Sequence, residues 1–390
     1  MDNPMDNPMR RFTTTGLNRR RFLAGSATTA TALGLPAVTA APARAGGRGI
    51  AAADRYPMWL ALLGTAGGPS WWNGITREGI SSAVVVDGAV YLVDCGAGAG
   101  RQLFRAGLDL ADLRAIFITH LHSDHISDYF TLQLYGWYQN LEKAHRPVHA
   151  YGPGDRGALP PLFGHPEQVP PVISPDDPTP GLVGMTDSLL RAYATDINDR
   201  MRDNLKTDLR RLVVPHDIEI PADVPFHPND NPTPDMAPFV VHEDDRVRVS
   251  ATLVKHAPAA PAFGFRFDSH HGSVVFSGDT GVCDNLVRLA TGADVLVHEV
   301  VDDQWIRGRY GQPPYTPDQE ALINHHLTAH TPVADTGRVA ERAGVPTLVL
   351  NHFVPGNIPE SRWAQARKTY SGRLIVGRDL DRIGVGRPAR

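Results

Sequence analysis

Four side chains able to bind a metal fall within six residues, at His120-Leu121-His122-Ser123-Asp124-His125. Imidazole nitrogen and carboxylate oxygen are ligands that Zn2+ and similar divalent ions accept. The hexapeptide follows an apolar run at residues 113–118 that has strand character. A loop leaving a buried strand can point several side chains into one small volume. Alternation sets His120 and His122 on one side, and Asp124 and His125 open the next turn. The chemistry that suits such a cluster is hydrolysis, in which a divalent ion acidifies water and steadies charge on the substrate.

The flanking sequence must build the strands that carry this loop. Residues 59–65 read as a strand running into a turn, followed by a Gly- and Trp-rich stretch at 66–78. Residues 80–86 and 89–93 read as a hairpin across Asp87-Gly88. A short helix is expected at 99–106 and a longer one at 126–140. From about 160 to 238 prolines are dense and the pattern breaks into loops, with helices at 185–195 and 198–212. This stretch reads as an insertion, a lid or contact surface, rather than a second core. Strands return at 247–254, 262–267, 273–276, 295–300 and 347–350, with a helix at 333–343. In both halves polar residues come just after strands.

The 390 residues allow one large domain or two ordinary ones, and 42% hydrophobic residues suffice for a substantial core. The first 45 residues stand apart. Arg19-Arg20-Arg21-Phe22-Leu23 precedes a weakly apolar run, and Ala43-Arg44-Ala45 offers a small-x-small cleavage site. This looks like a twin-arginine signal. It implies passage through the twin-arginine export machinery and a mature domain from about Gly46 to 390, in the periplasm or outside the cell. The whole chain carries a net charge of −4, and six Arg and two Asp in the leader leave about −8 on the remainder. A field of that sign argues against nucleic acid as a partner, although a local basic patch is compatible with it. Cys95 and Cys283 read as two separate buried thiols.

His120 to His125 matches HxHxDH, the signature of the metallo-β-lactamase superfamily, and the chain resembles that family along most of its length. Leu63-Gly64-Thr65 and Leu92-Val93-Asp94-Cys95-Gly96 look like its first strand and its strand ending in Asp-x-Gly. The resemblance implies an α/β fold, a four-layer αββα sandwich with metals at one edge. It implies that His120, His122 and His256 hold one ion, that Asp124, His125 and His352 hold a second, and that Asp279 lies between them. Asp94 would brace the ligand loop. Two divalent ions are thus expected, zinc first, with manganese or iron also fitting the ligands. The finer resemblance is to the ribonuclease Z and arylsulfatase-like branch, through His330, His298-Glu299 and the stretch from His330 to His352. In that branch the extra histidine, here His330, helps the leaving group depart, and Glu299 supports it. His325 and His326 compete for the same assignment. Asp124 would orient the nucleophile as well as bind metal.

The resemblance also shows a departure. Ribonuclease Z enzymes usually carry a Gly-rich, basic arm that grips tRNA, and none is identifiable here. The five basic residues from Arg200 to Arg211 are interrupted by Asp203 and Asp208. With the negative charge and the leader, this makes a small-molecule sulfate or phosphate ester the expected substrate. A lactonase or β-lactamase-like hydrolase, a ribonuclease Z-like phosphodiesterase and a catalytically silent metal-binding protein are the alternatives. A homodimer is compatible with the family and is left open by the residues.

Overall fold

The computed structural model describes residues 53–144, 147–163 and 168–389. The twin-arginine-type leader and its cleavage site therefore lie outside the described residues. In chain order the first half runs β1 (Met58–Gly64), β2 (Ser81–Val86), β3 (Ala89–Val93), α1 (Ala99–Arg105), β4 (Leu113–Phe117), α2 (Ser123–Ile126), α3 (Tyr129–Gly136), β5 (Val148–Pro153), α4 (Leu182–Ala192), α5 (Ala194–Asp203) and β6 (Val213–Ile218). The second half runs β7 (Phe239–Glu243), β8 (Arg248–Leu253), β9 (Phe263–Ser269), β10 (Gly272–Phe276), α6 (Asp284–Ala290), β11 (Val295–Val301), α7 (Asp303–Gly308), α8 (Pro317–Ala329), α9 (Val333–Ala343), β12 (Thr347–Val354), α10 (Glu360–Trp363), β13 (Arg373–Val376) and β14 (Arg382–Gly384).

Two mixed sheets of seven strands result, ordered β14-β1-β2-β3-β4-β5-β6 and β13-β12-β11-β10-β9-β8-β7. Most strands that lead into the candidate ligands are paired in parallel, β3 with β4, β10 with β11 and β11 with β12, whereas β8, which precedes His256, is antiparallel to β7 and β9. The C-terminal ends of the parallel strands therefore open in one direction within each sheet. Strands such as β2, with every residue buried, are covered on both faces, which is why they read as unbroken apolar runs. Leu60, Leu62, Tyr91 and Phe117 of the first sheet meet Val249, Phe263, Phe265 and Phe267 of the second in one central core. On the outer faces Leu103, Tyr129 and Leu182 bring α1, α3 and α4 onto the first sheet. Leu286, Val339 and Ala340 bring α6 and α9 onto the second. The order is helices, sheet, sheet, helices, the expected four layers. Cys95 and Cys283 are buried and unbridged.

Three local departures have physical causes. The helix expected at 126–140 is broken into α2 and α3. Cys95 N–H donates to the His125 carbonyl, Asp128 N–H to the Cys95 carbonyl, and the Asp128 carboxylate accepts from Gly98 N–H, so this backbone is tied to the 95–98 loop instead. The helix expected at 198–212 stops at Asp203, where Leu205 takes a left-handed φ of 51° and Lys206 turns back to the Trp137 carbonyl. Within the Pro-rich stretch, β6 pairs in register with β5 and completes the first sheet; its short mixed pattern, Val-Val-Pro-His-Asp-Ile, hides that role.

The sheets are pinned together at their β3–β7 side by Asp244. The Tyr91 hydroxyl donates to it at 2.7 Å, and the N–H groups of Arg246 and Val247 at 2.8 and 3.0 Å. Burial pushes this carboxyl up, but His242, Tyr91 and the two N–H groups outweigh burial and hold it well below the ordinary carboxylate value. A carboxyl lowered by folding stabilises the protein above its unfolded pKa of about 3.9, and the contribution is lost as pH falls. Thermal melts of wild type and Asp244→Asn should therefore differ most near neutral pH and converge below about pH 4. A gap that stayed constant with pH would show that the charge plays no part.

Candidate metal centre

The ligand-type residues enter from both sheets. His120, His122, Asp124 and His125 follow β4 and open α2; His256 follows β8; Asp279 follows β10; His352 lies inside β12. The strand expected to end at 350 continues to Val354 because it carries a bulge. His298 pairs with Leu350 but Val300 with Phe353, so one residue of β11 faces two of β12. His352 sits at the bulge with φ of 48°, a backbone state rare outside glycine. The Asn351 side-chain oxygen accepts its N–H at 2.9 Å and holds it there. Gly67 lies directly against the ring; a Cβ at that position would fall 2.4 Å from His352 Nδ1.

The side chains form two adjacent cups. In the first, His122 Nδ1 stands 2.9 Å from His120 Nε2 and 3.2 Å from His256 Nε2. In the second, His352 Nε2 is 3.2 Å from His125 Nε2 and 3.3 Å from Asp124 Oδ2. Asp279 stands between them. Its Oδ1 is 3.4 and 3.2 Å from His125 and His352, and its Oδ2 is 3.9 and 3.8 Å from His120 and His256. All seven candidate ligands thus converge. His330 and Glu299 lie beside them. His330 Nδ1 is 3.0 Å from Glu299 Oε1, and its ring centroid is 4.9 Å from that of His256. His298 is fully buried with Nδ1 on the Glu299 carbonyl and joins none of the ligand groups. His325 packs on Phe163 and His326 meets the Tyr310 hydroxyl; neither belongs to a ligand group.

A divalent cation fits this arrangement. Three imidazole nitrogens in the first cup lie within 4.8 Å of one another, and buried Asp279 Oδ1 lacks a hydrogen-bond partner. Such an orphaned buried oxygen is costly unless a cation or donor meets it. His256 Nδ1 faces the Ala329 carbonyl at 2.9 Å, which leaves Nε2 as the ligand atom. Burial pushes the imidazoles of the first cup down, His256 to about 3, so they are neutral, as ligation requires. In the second cup burial opposes charge on His125 and His352, but Asp279 and the neighbouring carboxylates raise both. Burial raises Asp124, yet its contact with His352 and the charges of His125 and His352 outweigh this and hold it at about 2.

Asp94 braces the ligand loop. Its Oδ2 is 2.8 Å from His125 Nδ1, and its Oδ1 accepts from Thr119 N–H at 2.8 Å. The Thr119 hydroxyl donates to Asp94 and also lies 3.2 and 3.3 Å from Nδ1 of His120 and His125. Thr119 and Asn351 escape a reading by residue type, since neither is a metal ligand; the one signal is that each immediately precedes a ligand histidine.

The opening is lined by His120 and His122 with Pro153, Arg156, Pro160, Pro180 and Pro258, so the Pro-rich segment walls the cleft. Arg156 ties its walls together through the Asn229 side chain and the Pro258 carbonyl. In the loop that begins at Gly67, beside His352, Trp71 is 96% exposed. Its neighbour Trp72 is fixed by a 2.9 Å bond to the Gly67 carbonyl and by edge contact with Trp305. The base of that loop is clamped by Arg77, which donates to the Thr65 hydroxyl and the Gly377 carbonyl.

Residues 76–324 match the model of the metallo-beta-lactamase superfamily. Ribonuclease Z of Mycobacterium bovis is 30% identical over 312 residues, covering 79% of this chain and 92% of that protein. Ribonuclease Z of Mycolicibacterium paratuberculosis is 31% identical over 319 residues, 80% of this chain and 94% of that one. Among solved structures, the human short-form tRNase Z (ELAC1) superposes with a TM-score of 0.51 at 21% identity, over 84% of this chain and 99% of that one. The Bacillus subtilis metallo-beta-lactamase fold protein YhfI gives 0.52 at 16%, over 83% and 98%. These relatives overturn two expectations, a small sulfate or phosphate ester as substrate and the exclusion of nucleic acid. The error has a physical source. Net charge is a global sum, whereas recognition depends on the local charge of a cleft, and Arg156 lines the one here.

Proposed function

Because the chain belongs to the metallo-beta-lactamase superfamily, we propose that its site cleaves phosphodiester bonds of RNA, with a tRNA precursor as the substrate class. It is a metal-dependent hydrolase acting on ester bonds. The observation that carries the finer reading is the His330–Glu299 pair at the rim of the double cup, together with ribonuclease Z relatives over four fifths of the chain. Zinc is the ion we assign; His120, His122 and His256 would hold it in one cup and Asp124, His125 and His352 in the other, with Asp279 available to both. When bound, the ions supply Lewis acidity that makes water nucleophilic near neutral pH and draws charge from the phosphoryl oxygens.

The protein's own groups do the rest. Asp124 orients the attacking water. Asp94 and Thr119 hold the rings of His125 and His120 in place. Glu299 faces His330 Nδ1, which leaves Nε2 to give a proton to the departing ribose oxygen. Burial opposes a charged His330, but Glu299, then Asp279 and Asp124, raise it to about 9, so protein groups favour the protonated donor. The Pro-rich walls and the Trp71 loop exclude bulk water from the cleft and flank the bound strand.

The test is incubation of zinc-loaded, full-length protein with a tRNA precursor bearing a 3′ extension. Metal-dependent cleavage at one position is expected. Absence of RNA cleavage by protein that still hydrolyses an aryl phosphodiester would reject the RNA reading. Trp71, exposed in the loop that follows Gly67, offers a face on which a base can stack, and one such stack contributes about 1–3 kcal/mol. Trp71→Ala should therefore raise KM for the RNA by about tenfold with kcat nearly unchanged. An aryl phosphodiester, which has no neighbouring base, should be hydrolysed as before; equal loss on both substrates would assign Trp71 to the fold instead.

A further inference from the structure

Five groups of three His or carboxylate side chains among the described residues bring their ligand atoms within 4.8 Å of one another. Four belong to the metal centre described above. The fifth, Asp87 with His270 and His271, does not. We propose that these three side chains form a separate divalent-cation site at the opposite end of the sandwich, one that fastens the two sheets to each other.

Its place follows from the topology. Asp87 lies in the turn before β3, and Asp94 of the metal centre follows that strand; His270 and His271 form the turn before β10, and Asp279 comes after it. Five-residue strands at 3.3 Å per residue separate the two ends by roughly 17 Å. Asp87 comes from the first sheet and the two histidines from the second, so the group joins elements far apart in sequence.

The geometry is suited to a cation. His271 Nε2 lies 3.0 Å from both Asp87 oxygens, and the rings of His270 and His271 stand 3.7 Å apart between centroids. The turn is held in place: the Ser269 hydroxyl accepts His271 N–H at 3.1 Å, and Asp294 accepts Ser273 N–H at 2.8 Å. Asp87 is fixed in a left-handed turn with φ of 45° and is also held by Arg246 at 3.0 Å. The guanidinium holds Oδ2 and favours the ionised carboxylate, while Oδ1 faces the His271 ring alone, so that a cation can take the place of the proton between them. Two imidazole nitrogens and one carboxylate oxygen, with an outer position left to water, suit zinc, copper or nickel better than magnesium or calcium. All three residues are at least partly accessible, so the ion enters directly from solvent.

A cation bound here binds the folded state and not the unfolded chain, so it raises stability by mass action. Full-length protein with its catalytic centre already loaded would be titrated with zinc ion by calorimetry, and its zinc content measured after gel filtration. Wild type should take up one equivalent more than a His270→Ala/His271→Ala double variant, and its Tm should rise with added zinc where that of the variant does not. Asp87→Asn, which suits the same left-handed turn, should fold normally and bind the extra ion about tenfold or more weakly. Equal zinc content in wild type and double variant would overturn the proposal. Metal uptake is read independently of hydrolysis, and the phosphodiesterase rate should be unchanged in both variants, so the outcome does not depend on the RNA reading.

Discussion

Asp279→Asn is expected to lower kcat/KM for phosphodiester hydrolysis by about 10^3- to 10^4-fold. Five imidazoles, those of His120, His125, His256, His330 and His352, lie within 4 Å of this one buried carboxylate. It reaches toward both cups, with one oxygen near each. Asparagine keeps the size and one acceptor oxygen but removes the charge, so the loss reports charge rather than shape. Several kcal/mol of transition-state stabilisation depend on correctly held ions, and each 1.36 kcal/mol is a factor of ten in rate. Bound zinc should fall below two equivalents. Chelation of the wild-type protein should give a comparable loss, reversed by zinc. A variant that kept two equivalents and a rate within tenfold of wild type would mean that Asp279 does not bridge the ions.

The second large effect is expected at His330. Replacing it with alanine should lower kcat by about 10^2- to 10^4-fold, the range for loss of a positioned general acid. Zinc content should not change, because seven other side chains form the two cups and His330, though within reach of His256 and Asp279, has its Nδ1 turned to Glu299. The discriminating measurement uses two leaving groups. With RNA the departing ribose oxygen needs a proton; with a nitrophenyl ester it does not. The loss should therefore be large on RNA and small on the nitrophenyl substrate. Equal losses, or a fall in bound zinc, would make His330 a structural neighbour of the metals. Glu299→Gln should give a smaller effect in the same direction. It keeps an acceptor for Thr280 N–H, now 2.7 Å away, but removes the negative charge that favours a proton on His330.

These residues show where the sequence was informative. Metal ligands are a short list of residue types, and seven of them follow strands in an order that a resemblance could match. Their convergence could thus be anticipated before any geometry was known. Position within a strand was not readable in the same way. His352 looks like a strand-end residue, and only the pairing of His298 with Leu350 and of Val300 with Phe353 shows that it sits on a bulge. The break at Asp128 was hidden for a related reason. Apolar periodicity continues across it, and what stops the helix is a set of hydrogen bonds to residues 95–98, far back in the chain. The edge strand β6 was masked by its Pro215 and His216. The substrate was the least legible part, because the sign of the summed charge does not describe the walls of a cleft.

The last strand bears on how the protein is made. β14 pairs antiparallel with β1, Trp59 opposite Gly384 and Ala61 opposite Arg382. On the ribosome, β1 can find β2 at once, but its other edge waits for a partner synthesised roughly 320 residues later. Throughout that interval the nascent chain presents an open, apolar strand edge of the kind that templates aggregation. Shielding by a chaperone is most needed during this stage of synthesis, and the pairing of β14 is what covers that edge of β1.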